Sequence, residues 1–219
     1  MRRCVLLAGL LLAAAGARGD TAGELGFVPP APGTYTLQHI MRSPDGTVLD
    51  VEGRAKPFSR FATGRITLLS LIYTRCADGS GCPMASYLMR RLKGRIDGER
   101  GLSARLRFVS LSFDPDNDTP KVMREYRGTY SPEDGGLPWY FLTTRSRREL
   151  EPLLEGLGQD VWAAADSGER PATLPHVLKV FLIDPAGSVR EIYTTSYLQP
   201  QVVLNDIKTL LLEEGVRLE

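Results

Sequence analysis

The segment Ile66-Thr-Leu-Leu-Ser-Leu-Ile-Tyr73 is an apolar run rich in β-formers, and soon after it Pro83 to Arg95 carries Met84, Tyr87, Leu88 and Leu92 at helical spacing. A central strand handed directly to a helix with proline in its first turn limits the chain to layered α/β architectures. The hand-over itself is Thr74-Arg-Cys-Ala-Asp-Gly-Ser-Gly-Cys82, so two thiols stand where the strand ends and the helix begins. Ligand sites in open α/β sheets commonly lie beyond the carboxyl ends of strands.

The rest of the sequence fits that frame. Leu106 to Phe113 reads as a second strand, closed by Asp114-Pro-Asp-Asn-Asp-Thr-Pro120. Thr119 and Pro120 are then a cap and first turn for a helix to Tyr130. Leu137 to Leu142 is a short strand, and Ser146 caps a helix to Leu157. Val177 to Ile183 and Val189 to Tyr193 flank the turn Asp184-Pro-Ala-Gly187, and Pro200 to Glu214 is an amphipathic helix. Near the start, Thr34 to His39 and Thr47 to Val51 flank Ser43-Pro-Asp-Gly46, which predicts a β-hairpin. Strands alternating with helices, followed by a late hairpin, predict a thioredoxin-like three-layer α/β sandwich with an N-terminal β-hairpin, occupying residues 34–219.

Residues 1–19 read as a signal peptide: Arg2 and Arg3 precede the apolar stretch Val5 to Ala15, and Ala15-Gly-Ala17 offers small residues for cleavage. Residues 20–33 read as a flexible leader rich in Pro, Gly and Ala. Cys4 would leave with the signal, and Cys76 and Cys82 would remain as the one possible pair. Export, to the periplasm or an equivalent compartment, is the expectation, with membrane association only through a partner or an uncleaved signal. Without Arg2, Arg3 and Arg18 the basic count falls from 27 to 24 against 26 acidic residues, a balance that does not point to nucleic acid as a partner.

Cys82, just before Pro83, is expected at the helix N-cap, where backbone N–H groups and the positive helix end would lower its pKa. Cys76 and Cys82 can form a disulfide or open around a metal. As a permanent bridge, so short a loop would stabilise the fold by only about 2 kcal/mol. His176, in Leu174-Pro-His-Val177, precedes a strand whose entry loop would face the thiols in such a fold, with Pro175 in the position usually held by a cis-proline. Two thiolates and an imidazole suit copper(I). Zinc can use the same atoms with a fourth ligand from Asp78 or water. Met84 could add a thioether but reads more simply as core, and His39 as structural.

These residues resemble the SCO/SenC family of exported copper proteins, which serve cytochrome c oxidase assembly. Leu69-Ser-Leu-Ile-Tyr-Thr-Arg-Cys76 is similar to the family's strand ending in a YTxC motif, and Cys82-Pro83 to its second cysteine. Phe108 to Pro120 is similar to its SxDPxxDTP segment, and His176, eight residues before Asp184, matches the spacing of its metal-binding histidine. The resemblance covers about residues 34 to 212. It implies one copper ion, Cu(I) or possibly Cu(II), on Cys76, Cys82 and His176. It also implies a copper-accepting partner such as the CuA-bearing subunit of the oxidase, and an aspartate near the thiols, Asp114, that tunes their charge or meets a partner. Two departures stand out: five residues separate the cysteines where the family usually has three, and Pro175 replaces the usual aspartate before the histidine. The competing expectation is a thiol-disulfide oxidoreductase, with Cys76 and Cys82 as a redox pair served by a reductant protein and Cys76 as the more accessible attacker. A peroxidase-like reading has less behind it, because Thr74-Arg75 does not reproduce the peroxiredoxin pattern.

Overall fold

The computed structural model describes residues 27–99, 101–131, 135–159, 177–194 and 197–218. Eight strands and five helices follow one another: β1 (Met41–Arg42), β2 (Thr47–Leu49), β3 (Ala55–Pro57), α1 (Ser59–Ala62), β4 (Ile66–Ile72), α2 (Cys82–Asp97), β5 (Leu106–Ser112), α3 (Pro120–Tyr130), β6 (Trp139–Leu142), α4 (Arg147–Gly156), β7 (Val180–Ile183), β8 (Ser188–Tyr193) and α5 (Pro200–Glu213). The main sheet has six strands in the order β1-β8-β7-β4-β5-β6. β4, β5 and β6 run parallel, while β7 lies antiparallel to β4 and β8 antiparallel to β7.

Every residue of β4 and β5 is buried. Successive strand residues point to opposite faces, so burial of all of them means that both faces of the sheet are covered. This is the thioredoxin-like layered fold, and it explains why Ile66 to Ile72 reads as an unbroken apolar run. Each fully buried Leu or Ile there contributes about 2 kcal/mol through removal from water. The serines in the core strands are matched: Ser70 lies opposite Ser110, their hydroxyls are 2.9 Å apart, and the Trp139 indole N–H donates to Ser110 Oγ at 3.0 Å.

The caps at Thr119 and Ser146 are as the sequence predicts, each accepting from a backbone N–H in the first helical turn. Two local expectations change. The N-terminal hairpin is β2–β3, not 34–39 with 47–51. Asp50 accepts from the backbone N–H groups of Glu52 and Arg54 at 3.0 and 2.9 Å, and Gly53 adopts a φ of +77°, so the reversal forms there. The Pro-Asp-Gly signal is used differently: Asp45 accepts from Gly46 N and Ser59 N, both at 2.8 Å, seating α1, while β1 joins β8. The second change is the buried face of α2. Met84 and Tyr87 are exposed, and the core face is Cys82, Ala85, Ser86, Met89, Leu92, Lys93 and Ile96. Cys82 enters the helix pointing inward, and positions three, four, seven, ten, eleven and fourteen residues later share its face.

The end of the predicted leader is fastened to α5. Asn205 donates to Pro30 O at 2.8 Å, Gly33 N donates to Thr209 Oγ1 at 3.1 Å, and the Tyr35 and Tyr193 hydroxyls both donate to the Asp206 carboxylate. Among the described residues no helix is long and apolar enough to cross a membrane.

Candidate thiol and metal site

Beyond Ile72 the chain leaves the sheet and turns at once, Cys76 N donating to Tyr73 O at 3.3 Å. The link to Cys82 is tied to itself. Gly81 N donates to Asp78 O at 3.0 Å, and the Asp78 carboxylate accepts from Ser80 N and from Ser80 Oγ. Gly81 is the helix N-cap, and Cys82 is the first helical residue, one position later than expected. A Cβ at Gly81 would stand 3.2 Å from Cys76 Sγ and 3.4 Å from Asp78 O, so any side chain there would crowd the Cys76 sulfur.

Cys76 and Cys82 are present as thiols, close enough to interact through a side-chain hydrogen bond. Cys82 is fully buried, whereas Cys76 keeps 9% of its surface. Burial pushes the Cys82 thiol up, the neighbouring sulfur of Cys76 adds to that, and hydrogen bonding from the backbone at Tyr73 opposes it. This reverses the expected helix-end effect: desolvation outweighs the helix dipole for a thiol that faces the core.

Two aspartates from the loop after β5 hold the strand exit. Asp114 is buried, pairs with Arg75 at 3.0 Å, and accepts from Asn117 Nδ2 at 2.8 and 2.9 Å. It therefore serves the turn and the residue beside Cys76 together. Asp118 is fully buried and accepts from Thr74 N at 3.0 Å, from Thr74 Oγ1 and from Ser112 Oγ. Burial raises its pKa, the Ser112 and Thr74 hydrogen bonds oppose the rise, and Asp114 adds to it. Thr74, Arg75 and Asp118 are present in the segments that the sequence analysis quotes, but the hydrogen bonds and ion pair that join the two segments are not predicted there.

β7 runs antiparallel to β4, Val180 opposite Ser70 and Ile183 opposite Thr67, so the described chain at Val177 approaches the end of β4 that bears the thiols. His176 and Pro175 lie outside the described residues. Among the described residues no three of His, Cys, Asp and Glu form a metal-binding group. Asp78, the candidate fourth zinc ligand, spends its Oδ1 on the Ser80 turn. Met84, exposed near the start of α2, is not core as expected. His39 is exposed on the β1–β8 edge, with Nδ1 2.9 Å from Ser188 Oγ, and has a structural contact only.

Residues 47–212 match the SCO1/SenC family model, which is most of the chain. The chain belongs to the SCO1/SenC family. The SCO1 protein homolog of Bacillus subtilis is 26% identical over 147 residues, covering 67% of this chain and 71% of the homolog. Among solved structures, Arabidopsis thaliana ScoI with copper bound superposes with a TM-score of 0.65 at 16% identity, covering 78% of this chain and 98% of that one. BsSco, described as a member of the Sco family of cytochrome c oxidase assembly proteins and as carrying a disulfide switch, superposes with a TM-score of 0.61 at 20% identity, covering 80% and 98%. At these identities the structural likeness establishes a shared thioredoxin-like SCO1/SenC fold, and the thiol loop sits at a strand-to-helix transition of that fold.

Proposed function

We propose that the protein is an exported copper(I) metallochaperone that holds its cargo on Cys76, Cys82 and His176 and passes it to a copper-accepting protein such as the CuA-bearing subunit of a cytochrome c oxidase. The observation that carries this reading is the pairing of the two thiols at the end of β4, both buried and Cys76 the less enclosed, beside the chain that enters β7. Copper(I) binding by two thiols releases two protons and leaves a site of net charge −1. His176, one residue before Val177, would complete a three-coordinate soft site. The copper-bound ScoI relative supports the cargo, and the oxidase-assembly description of BsSco supports the client.

The test is a competition titration of the reduced protein with copper(I) against a chelator of known affinity. The expected result is one copper(I) per chain, lost in Cys76→Ser and Cys82→Ser and weakened on the order of a hundredfold in His176→Ala, about 2.7 kcal/mol. Unchanged affinity in His176→Ala would remove the third ligand from the proposal.

Cys76 is slightly less enclosed than Cys82, which also supports a redox role, reduction of the client's cysteines. Cys76 as thiolate would attack the client disulfide, breaking the client S–S bond and forming a mixed disulfide. Cys82 would then attack Cys76 Sγ and release the client dithiol; the client gains two electrons, and the pair is left as a disulfide. Cys82→Ser would trap the mixed disulfide, visible by mass spectrometry, and activity would survive His176→Ala.

A further inference from the structure

At the other end of β4 a cleft of about 510 Å³ opens between the β2–β3 hairpin, α1 and the edge strand β6. Six cationic side chains line it, Arg54, Lys56, Arg60, Arg65, Arg107 and Arg127, against two acidic ones, Asp50 and Glu52. Both acids are already engaged by Arg54, at 2.9 Å each. Among the described residues Lys56, Arg60, Arg65 and Arg107 have no carboxylate within ion-pair distance, and Arg107 is the most confined, with 7% of its surface exposed. Its guanidinium donates to two neutral acceptors, Arg60 O at 2.5 Å and Thr63 O, and its Nε has no partner among the described residues. Burial, reinforced by Arg65 close by, lowers the Arg107 pKa.

Arg107, buried with its Nε unpartnered and with three further cations lining the same cleft, is the group that a balancing anion would favour. We propose that this cleft binds a small multivalent oxyanion of the phosphate class. A single carboxylate would leave most of the charge unbalanced, whereas guanidinium forks match the oxygens of a phosphoryl group and accept more than one negative charge. The near-equal totals of 27 basic and 26 acidic residues argue against a general polyanion surface, whereas the cleft itself carries six basic side chains against two acidic ones. Arg65 precedes β4 and Cys76 follows it, so a strand of seven residues, roughly 23 Å, separates Arg65 from the thiols, and the inference does not rest on the copper reading.

Calorimetric titration of the full chain with pyrophosphate, at constant ionic strength in sodium chloride, tests the inference. The expected result is one saturable site, weakened roughly tenfold or more in Arg60→Gln/Arg65→Gln, whose side chains are exposed, and retained in Cys76→Ser. A thermal melt of the double variant matching the parent keeps that comparison free of misfolding. Linear, unsaturable heats, equal affinity in the double variant, or loss of binding in Cys76→Ser would each overturn it. Binding of hexaglutamate without binding of pyrophosphate would also overturn it, in favour of an acidic protein segment.

Discussion

Asp118 and Asp206 are the same device in two places. Each is a buried carboxylate that accepts from hydroxyls, and in each burial raises the pKa while those hydrogen bonds oppose the rise. They differ in what they hold. Asp118 fastens Thr74, two residues before Cys76, through both its backbone N–H and its hydroxyl. Asp206 joins the hydroxyls of Tyr35 and Tyr193, clasping the N-terminal segment and β8 to α5, on elements that carry no thiol. The comparison separates two uses of a costly buried charge: one positions a reactive loop, the other closes the outside of the fold.

Substituting the two aspartates is the sharpest way to break the comparison. Asp118→Ala leaves three donors at the strand exit without an acceptor and is expected to cost about 3 kcal/mol of stability by denaturant unfolding. It should also lower copper(I) affinity on the order of tenfold, about 1.4 kcal/mol, because Cys76 loses its anchor. Asp206→Ala should cost about 2 kcal/mol and leave copper(I) affinity unchanged; a parallel fall in affinity would show that the two regions are coupled. Gly81→Ala should crowd Cys76 Sγ and weaken copper(I) binding by about threefold, with a small change in melting temperature. Tyr193→Phe should cost about 1 kcal/mol, and Tyr35→Phe, on a half-exposed ring, less. The smallest effect is in pH. The folded pKa of Asp206 lies above its ordinary value of 3.8, so its stabilising contribution is complete below that value and is lost as pH rises through the folded pKa. Asp206→Asn does not titrate there, and unfolding measured from pH 4 upward should show the stability difference moving in the variant's favour.

Elements governed by local chemistry were legible in the sequence. The caps at Thr119 and Ser146, and β4 with its unbroken burial, could be read from residue type and period alone. The N-terminal hairpin was misplaced because Ser43-Pro-Asp-Gly46 and Asp50-Val-Glu-Gly53 both carry turn chemistry, and only long-range pairing of β1 with β8 decides between them. The face of α2 was rotated for a similar reason. Apolar spacing favoured Met84 and Tyr87, but the inward-facing Cys82 fixes the helix's rotation about its axis. At the site, sequence found both thiols but reversed the direction of the Cys82 shift, since the dipole is local and burial depends on the whole fold. Asp118 lies in the quoted Phe108 to Pro120 segment, but its role was not legible because its partners, Thr74 and Ser112, come from two different strand ends.

The link between the cysteines is tied to itself, and that bears on its length. A five-residue connection would ordinarily make a floppier chelate ring than a three-residue one. Here Asp78, Ser80 and Gly81 already fix its shape through their mutual hydrogen bonds. Much of the disorder that ring closure would otherwise remove is therefore gone before any ion arrives, and extra length need not mean a weaker grip. The linking residues form a small ordered knuckle beside the thiols.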